Sequence, residues 1–338
     1  MQASGNKVTM SDIAEKVGVT QATVSHVLNG TAKISESVSK KVLKAAKEMG
    51  YKKKPKVQGV SKSKSVGLLI PDVENSFYAE TAKVVEIVLR RHGYLTFQCN
   101  TLYRAEYERM YVKALLEYGV MGIVVGYPMT NGVSLELLRA SEIPAVFLDG
   151  APQDLKGLCP TIEINNTLGG ELAANHLFKL GAKNVCIASE PLVNQPLEER
   201  VAGFKTTMAA NGVPVDEARI FIETSQYSKM DMGCNIGAKI LIDGGIDAVF
   251  ATSDYVALGI IKRLKESKKR IPEEIMVMGY DDISIAQIIE PPLTTIAQPV
   301  GQMAKTGAEM LCASIKGQQE AKSITMDPCL IIRESTMK

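Results

Sequence analysis

Hydrophobic positions in the first fifty residues recur at the spacing of an α-helix. Met10, Ile13, Ala14 and Val17 fall on one helical face, and Gly18 can end that helix in a left-handed conformation. The segment Thr9–Asp12 has the spacing of a capping box, in which each end residue bonds the backbone of the other. The pattern therefore predicts a first helix that begins just after Thr9.

Two more helices are predicted before residue 51. Thr20 can cap the second, which carries Val24, Val27 and Leu28 on its apolar face, and the third runs from near Ser35 to Gly50. Two short helices joined by a three-residue turn with glycine make a helix-turn-helix unit. Its second helix can enter a DNA major groove, where Gln suits adenine and Ala suits the thymine methyl group. The alternative is an ordinary three-helix bundle whose polar face includes Gln21, Ala22, Ser25 and His26.

From Val66 onward, short apolar runs alternate with helical segments. The predicted strands lie at 66–70, 96–99, 122–126 and 145–148, and a second series after Asn165 lies at 185–188, 220–222, 248–251 and 275–278. The first predicted helix carries Ala82, Val85 and Leu89 on one face and ends at Gly93. The other predicted helices lie at 105–118, 169–180, 197–211, 229–242, 254–266 and 300–316. Continuously apolar strands that alternate with helices indicate parallel sheets covered on both faces. The fold class is therefore α/β, with an all-α helix-turn-helix headpiece and two doubly wound parallel-sheet lobes.

Charge is distributed unevenly along this chain of 338 residues. Residues 1–64 carry 13 lysines and 4 acidic residues, whereas the whole chain has a net charge of only +2. A basic end on a mildly acidic body favours a polyanion as the partner of that end, although a solvated lysine tail would have the same composition. The sequence contains no apolar run that could span a membrane and no apolar signal core, so we expect a cytoplasmic protein.

Cysteine and histidine are not arranged as metal ligands. The six cysteines are far apart, and the three histidines, His26, His92 and His176, have no ligand spacing between them. We expect the cysteines to be buried small hydrophobic residues, and we expect neither a metal nor a cofactor.

Polar residues after the predicted strands are the candidates for a ligand site. In doubly wound lobes, ligands bind beyond the carboxyl ends of the strands. Carboxylates, an arginine and aromatic rings at those ends suit a hydroxyl-rich molecule, since carboxylates accept from hydroxyls and rings cover apolar faces. Each residue alone could instead cap a helix, Asp254 in particular. The candidates are Asp72, Phe77, Asp149, Asn194, Arg200, Tyr227, Asp254 and Asp281.

Long segments of the chain resemble one known family. Val8–Ala14 and Val17–Gly30 are similar to the headpiece of the lactose/galactose repressor (LacI/GalR) family, and Arg200–Phe204, Gly279–Asp282 and Pro292–Ile296 look like landmarks of its core. The resemblance implies a DNA-binding transcriptional regulator, most often a repressor, with a periplasmic-binding-protein-like core crossed three times by the chain. It also implies a homodimer on a pseudo-palindromic operator, with helices near 77–91 and 105–118 between the subunits, and a small-molecule effector such as a sugar or sugar derivative.

The resemblance assigns roles to individual positions. By position, Gln21, Ala22 and His26 read base edges. The residues that contact the DNA backbone or support the helix are Thr9, Thr20, Thr23, Ser25 and Asn29. The effector cleft is lined at the positions of Phe77, Asp149, Arg200, Tyr227, Asp254 and Asp281. Asn194 stands where purine-sensing members carry an arginine, and this departure argues against a purine ligand.

The linker departs from the family pattern. The expected domains are a headpiece at 1–51, a basic hinge at 52–65, and a core at 66–338 with an N-lobe at 66–164 and 297–322 and a C-lobe at 165–296 and 323–338. The family usually has a hinge helix with Ala-Arg-x-Leu here, but this linker has neither that arginine nor that leucine. We expect Lys53 and Lys54 to bind by charge, with Val57 or Val60 at most a weak minor-groove wedge. A shifted hinge helix is the alternative.

Three other classes of protein compete with this interpretation. A sugar-binding transport protein would fit the lobes, but it would not carry a basic helix-turn-helix. A nucleotide-cofactor enzyme is disfavoured, because Pro71–Ser76 follows the first strand where a G-x-G-x-x-G turn would lie, and no G-x-S-x-G elbow is present. The third is a carbon-catabolite regulator on the same fold, which would respond to a phosphorylated carrier protein.

Overall fold

The computed structural model divides the chain into two compact units, Met1–Lys62 and Ser63–Lys338. It describes residues 8–29, 34–51, 64–129, 131–152, 159–192, 194–224, 228–318 and 322–337. The predicted hinge residues Lys53, Lys54, Val57 and Val60 and the predicted cleft residue Tyr227 lie outside these ranges.

The first unit contains the predicted helix-turn-helix. Its helices are α1 (Met10–Val17), α2 (Gln21–Asn29) and α3 (Glu36–Glu48). The capping box is present, because Thr9 Oγ1 accepts from Asp12 N at 3.3 Å and Thr9 N donates to Asp12 Oδ2 at 2.7 Å. Gly18 ends α1 at φ 72°, in the left-handed region that glycine adopts without strain. Buried Ile13, Val24 and Val42 bring one residue from each helix into a shared core.

The second unit consists of two lobes, each built on a six-stranded sheet. The sheet orders are β11-β5-β4-β3-β1-β2 and β12-β10-β9-β8-β6-β7, so the two lobes repeat the same doubly wound arrangement. Every described strand pair is parallel except β10 with β12. The predicted fold class is confirmed.

The elements of the N-lobe are β1 (Ser65–Ile70), α4 (Ser76–Arg91), β2 (Leu95–Asn100), α5 (Ala105–Tyr118), β3 (Ile123–Val125), α6 (Gly132–Ser141), β4 (Ala145–Leu148), β5 (Thr161–Ile164), α11 (Val300–Ile315) and β11 (Ser323–Met326). Those of the C-lobe are α7 (Asn166–Lys179), β6 (Val185–Ser189), α8 (Gln195–Ala210), β7 (Ile220–Ile222), α9 (Lys229–Asp243), β8 (Ala248–Ala251), α10 (Asp254–Glu266), β9 (Met276–Asp281), β10 (Thr294–Ala297) and β12 (Cys329–Ile331).

The chain passes between the lobes three times, as the resemblance implies. The crossings follow β5, β10 and β11. The crossings after β5 and β11 are joined by a hydrogen bond, in which Asn165 Nδ2 donates to Asp327 Oδ1 at 2.9 Å. The expected lobe boundary at residue 323 is wrong, because β11 pairs with β5 in the N-lobe sheet and the last crossing comes after Met326.

Glycines allow two pairs of C-lobe helices to pack with their backbones in contact. A Cβ on Gly170 would collide with the Arg200 carbonyl oxygen, and one on Gly203 would collide with that of Thr167, where α7 crosses α8. Gly233 and Gly259 stand in the same relation where α9 crosses α10. These close helix–helix contacts fix the positions of α8 and α10, whose first turns face the space between the lobes.

The cysteines are all free, but they are not all buried as expected. Cys99, Cys186 and Cys312 are buried, whereas Cys159 and Cys234 are half-buried and Cys329 is exposed. The expectation is wrong for Cys329, because it lies on the edge strand β12, which has a sheet neighbour on one side only. Among the described residues, the structure contains no helix that is both long enough and apolar enough to cross a membrane.

Candidate DNA-reading surface and effector cleft

Helix α2 presents an exposed surface on one side and a buried apolar residue on the other. Gln21, Ala22 and His26 are exposed, whereas Val24 is fully buried against the other helices. The sequence places these residues on two faces because 3.6 residues make one turn. All three predicted base-reading residues therefore lie on one accessible surface of the headpiece.

The predicted backbone-contacting residues stabilise the ends of the helices. Thr20 Oγ1 accepts from Thr23 N at 3.2 Å, and the two hydroxyl oxygens are 2.9 Å apart. Thr9 performs the capping role at α1, where its backbone hydrogen bond lowers the pKa of Asp12. Ser25 is half-buried on α2, and Asn29 is the last residue of that helix. Thr9, Thr20 and Thr23 thus hold the first turns of the two helices of the helix-turn-helix.

A cavity of about 390 Å³ lies between the two lobes. Its walls come from the carboxyl ends of strands in both sheets and from the first turns of α4, α8 and α9, as the strand order predicts. Six of the eight candidates from the sequence line it: Asp72, Phe77, Asp149, Asn194, Arg200 and Asp281.

Arg200 organises the C-lobe wall of the cavity. Its side chain is 6% exposed, Nε donates to Asn166 Oδ1 at 2.8 Å, and Nη1 donates to the Thr252 carbonyl at 2.9 Å. The guanidinium carbon lies 3.8 Å from the centre of the Tyr280 ring, and Nη1 lies 3.7 Å from Asp281 Oδ1. A planar cation held on several sides in this way has a fixed orientation.

Asp149 is a buried carboxyl group with an unused oxygen. It follows β4 directly, is 7% exposed, and has no hydrogen-bond partner at Oδ1. Burial raises the pKa of Asp149 to about 7, with the Arg200 charge acting in the opposite direction and Asp281 adding to the rise. A buried polar group without a partner costs about 1–3 kcal/mol, so this oxygen favours binding of a hydrogen-bond donor.

Two more buried polar atoms without partners belong to residues that line the same cavity. They are Ser253 Oγ and Gln298 Oε1, on residues that are 2% and 8% exposed. Gln298 Nε2 donates to Asp281 Oδ1 at 2.6 Å, which determines that the oxygen of the amide is the atom left open. Asp149, Ser253 and Gln298, three described residues that carry a buried side-chain atom without a partner, therefore all line one cavity.

The rest of the lining combines an ion pair from the C-lobe with aromatic rings from the N-lobe. Lys229 Nζ donates to Glu190 Oε1 at 2.7 Å. Burial alone would lower the pKa of Lys229, but the Glu190 charge raises it, so the lysine stays charged. Phe77 and Tyr78 pack edge to face at 5.0 Å, and Tyr78 contacts Tyr103 in the same way at 6.4 Å.

Asp254 does not line the cavity, so the prediction that it does is wrong. It is the first residue of α10 and points inward, where Oδ1 accepts from Thr295 Oγ1 at 2.6 Å and Oδ2 accepts from Ile283 N at 2.9 Å. It is fully buried, and burial followed by the nearby Asp281 charge raises its pKa. Asp254 thus links α10 to the segments at β9 and β10, and the preceding residue, Ser253, faces the cavity instead.

Several lining residues are absent from the sequence prediction. Glu190 and Gln298 directly follow β6 and β10, so the rule that selected Asp149 would have found them. Ser253 comes two residues after β8. Tyr103 comes three residues after β2, whereas Lys229 comes seven residues after β7 and carries no such signal.

Comparison with known proteins agrees with this architecture. Residues 9–54 match the family model described as bacterial regulatory proteins, lacI family, and residues 174–336 match a periplasmic binding protein-like domain. The chain is 32% identical over 335 residues to a protein of Vibrio parahaemolyticus named HTH-type transcriptional repressor PurR, with 98% of this chain and 99% of that protein covered.

Solved structures give the same result. The regulator CelR in complex with cellobiose superposes with a TM-score of 0.72 at 26% identity, over 97% of this chain and 99% of that one. A LacI family regulator from Enterococcus faecium with bound ribose superposes with a TM-score of 0.72 at 27% identity, over 81% of this chain and 98% of that one.

The headpiece and the two-lobed core define a DNA-binding transcriptional repressor with an effector-binding domain, and not an enzyme. The chain belongs to the lacI family of bacterial regulatory proteins. Regulators of this family bind operator DNA and small-molecule effectors and are dimeric.

Proposed function

We propose that this protein represses transcription as a homodimer on a pseudo-palindromic operator, and that a sugar or sugar derivative bound between the lobes controls its affinity for DNA. The cluster of buried, unpaired polar atoms at Asp149, Ser253 and Gln298 is the observation that carries the effector site. Its action on operator DNA would take place in the cytoplasm.

In this proposal α2 lies in the major groove. Gln21 and His26 donate to or accept from base edges, and Ala22 packs on a thymine methyl group. The proposed phosphate-contacting or supporting residues are Thr9, Thr20, Thr23, Ser25 and Asn29. Lys53 and Lys54 add phosphate contacts by charge, with Val57 or Val60 near the minor groove.

The cleft offers groups suited to a sugar. Asp149 and Asp281 accept from hydroxyls, Arg200 donates, and Phe77 covers an apolar face of the ring. Asn194 caps α8 by accepting from Leu197 N at 3.2 Å, and its amide nitrogen is the part of this side chain left to contact a ligand. The CelR and Enterococcus structures, whose cores superpose on this one, contain cellobiose and ribose.

A purine base is the second candidate effector. Two observations favour it: 32% identity to repressors named PurR, and the ring wall that contains Phe77 and Tyr78. Two features argue against a purine base: Asn194 stands where purine-sensing members of the family carry an arginine, and the cleft is lined by carboxylates that suit hydroxyl groups. A phosphorylated carrier protein remains the alternative at the level of regulation, and a pull-down with and without phosphorylated carrier separates it from both small molecules.

Control would operate through the angle between the lobes. The three crossings act as hinges, and on the other side Tyr255 of α10 contacts Ser76 of α4, with their hydroxyl oxygens 3.0 Å apart. An effector that binds one lobe angle more tightly shifts the protein toward it. Because each headpiece precedes β1 in the chain, a new lobe angle changes the spacing of two headpieces, which must match half-sites about one helical turn apart. Helices α4 and α5 are the proposed subunit contact, and Met110 and Tyr118 are exposed on α5.

The double variant Gln21→Ala with His26→Ala tests the DNA surface. Loss of a good base contact costs about 1–3 kcal/mol, so we expect the preference for operator over random duplex to fall at least tenfold. Effector binding should be unchanged, because the cleft is in the other compact unit. Fluorescence anisotropy at fixed salt measures the preference, with Leu43→Ala, an exposed change on α3, as the control. A double variant that is folded and retains full operator preference would exclude this surface as the reader.

A further inference from the structure

A tyrosine of the C-lobe is hydrogen-bonded to the N-lobe beside the cleft. The hydroxyl oxygen of Tyr255, the second residue of α10, lies 3.0 Å from Ser76 Oγ at the start of α4, and it donates to the Glu74 carbonyl oxygen at 3.4 Å. Because a tyrosine hydroxyl has one proton, the oxygen that donates to Glu74 accepts the proton of Ser76. One phenol oxygen therefore bonds twice to the other lobe, and the serine it contacts is 179 positions away in the chain.

The C-lobe end of this contact is firmly anchored. Asp254, the residue before Tyr255, is fully buried; its Oδ1 accepts from Thr295 Oγ1 at 2.6 Å, and its Oδ2 accepts from Ile283 N at 2.9 Å. Helix α10 is also packed backbone to backbone against α9. The position of Tyr255 is therefore set by the C-lobe as a whole.

The N-lobe end is anchored as well. Asn75 Oδ1 accepts from Phe77 N at 3.0 Å, and Asp72 Oδ1 accepts from Glu74 N at 2.8 Å, so side chains on either side of Ser76 hold its backbone in place. Since each end is fixed in its own lobe, a change in the spacing of the lobes must break these hydrogen bonds, because no slack segment lies between them.

The contact borders the effector cavity without forming part of its wall. Asn75, Phe77 and Ser253 line the cavity, whereas neither Ser76 nor Tyr255 does. Loss of the contact therefore removes no group that a ligand in the cavity would touch. The cavity of about 390 Å³ already has the size of a small-molecule site while the contact is made.

We propose that Tyr255 and Ser76 form a latch, which holds the two lobes of the effector-free protein at this spacing and keeps the cleft preformed. A ligand that binds only the latched arrangement loses affinity in proportion to the molecules that leave that arrangement. One neutral hydrogen bond shifts such an equilibrium about two- to tenfold. The latch thus sets effector affinity from outside the binding site. The inference rests on the proposed function, since it concerns control of the same cleft.

Hydrogen exchange on the effector-free, full-length protein tests the latch without a ligand. Tyr255→Phe and Ser76→Ala each remove one hydroxyl group, and the reporters are the amides of Ala79 and Ala257, which donate in the first turns of α4 and α10. We expect either variant to speed exchange about two- to tenfold at both amides, including the amide in the other lobe. Tyr255→Phe loses both bonds and should have the larger effect, and the double variant should match it. Exchange that changes only in the mutated lobe overturns the inference.

Calorimetry with D-ribose, cellobiose and adenine as probes measures the consequence for the cleft. A probe that binds the parent protein should bind both latch variants about two- to tenfold more weakly. The control is Tyr107→Phe, at a half-buried tyrosine in the first turn of α5, which should keep the affinity of the parent. Equal or tighter binding by the latch variants overturns the inference.

The latch and the proposed effector can fail separately in these experiments. A protein that shows the exchange effect across the lobes but binds no sugar contradicts the proposed effector and leaves the latch in place. A sugar that binds the parent and the latch variants equally, and changes operator affinity, contradicts the latch and leaves the proposed function in place.

Discussion

Replacing Gly259 with alanine is expected to destabilise the C-lobe by more than about 3 kcal/mol. The new Cβ would collide with the carbonyl oxygen of Met230 and lie 2.8 Å from Cys234 N, both on α9. These are backbone atoms that cannot rotate away, so the α9 and α10 helices would have to separate and lose packing along their contact. Since Ser253, the residue just before α10, lines the cleft, the effector site should be perturbed as well.

Urea unfolding followed by circular dichroism measures this change, and Gly301→Ala is the matched control. Gly301 is also inside a helix, α11, but its nearest neighbour would be Glu80 Oε1 at 3.8 Å, an ordinary contact distance. Alanine there should raise stability by up to about 1 kcal/mol through helix propensity. An unfolding midpoint for Gly259→Ala that matches the parent would show that the close backbone approach of α9 and α10 is absent in solution.

Replacing Asp149 with asparagine is expected to stabilise the effector-free protein at pH 8 by up to about 4 kcal/mol. Burial holds the pKa of this carboxyl group at about 7 in the folded protein, against an ordinary value of 3.8. When the pKa of an acid is higher in the folded than in the unfolded protein, its protonated form favours folding. That stabilisation is complete below the pKa of the unfolded state and is lost as the pH rises through the pKa of the folded state. The loss therefore develops between about pH 4 and pH 7, and asparagine, which stays neutral, avoids it.

The measurement is the free energy of unfolding of parent and variant between pH 5 and pH 8. The gain should be largest at pH 8 and shrink toward pH 5. Asp72→Asn provides the matched control, because Asp72 lines the same cavity but is only half-buried. A stability difference for Asp149→Asn that does not vary over this range would mean that the carboxyl group is solvated in the free protein.

The sequence predicts those elements whose signals are local. The first helix is set by Thr9 and Gly18, which lie at its two ends, and the buried strands are continuous apolar runs such as Ala145–Leu148. Strands β5 and β11 were not predicted, because they alternate or expose polar residues and pair only after the chain returns from the C-lobe. That pairing joins residues about 160 positions apart and leaves no local pattern.

The cleft was predicted in outline because the carboxyl ends of parallel strands meet at one edge. This rule places Asp149 and Asp281 correctly, but it does not determine where a side chain points. Asp254 follows β8 and meets the same criterion, yet its carboxylate is held by Thr295 in another strand, forty-one residues later. Only the tertiary structure separates a buried supporting carboxylate from one that faces a ligand.

The central claim is that occupancy of the cleft changes binding of the headpiece to its operator, and reciprocal titration tests it most directly. An operator duplex is first selected from random DNA by the purified protein, and its affinity is then measured by anisotropy with and without a saturating cleft ligand. We predict that the ligand changes operator affinity at least tenfold, about 1.4 kcal/mol. Operator added first should change ligand affinity by the same factor. A ligand that fills the cleft, fails to bind when Arg200 is replaced with alanine, and leaves operator affinity unchanged in both directions would contradict the account.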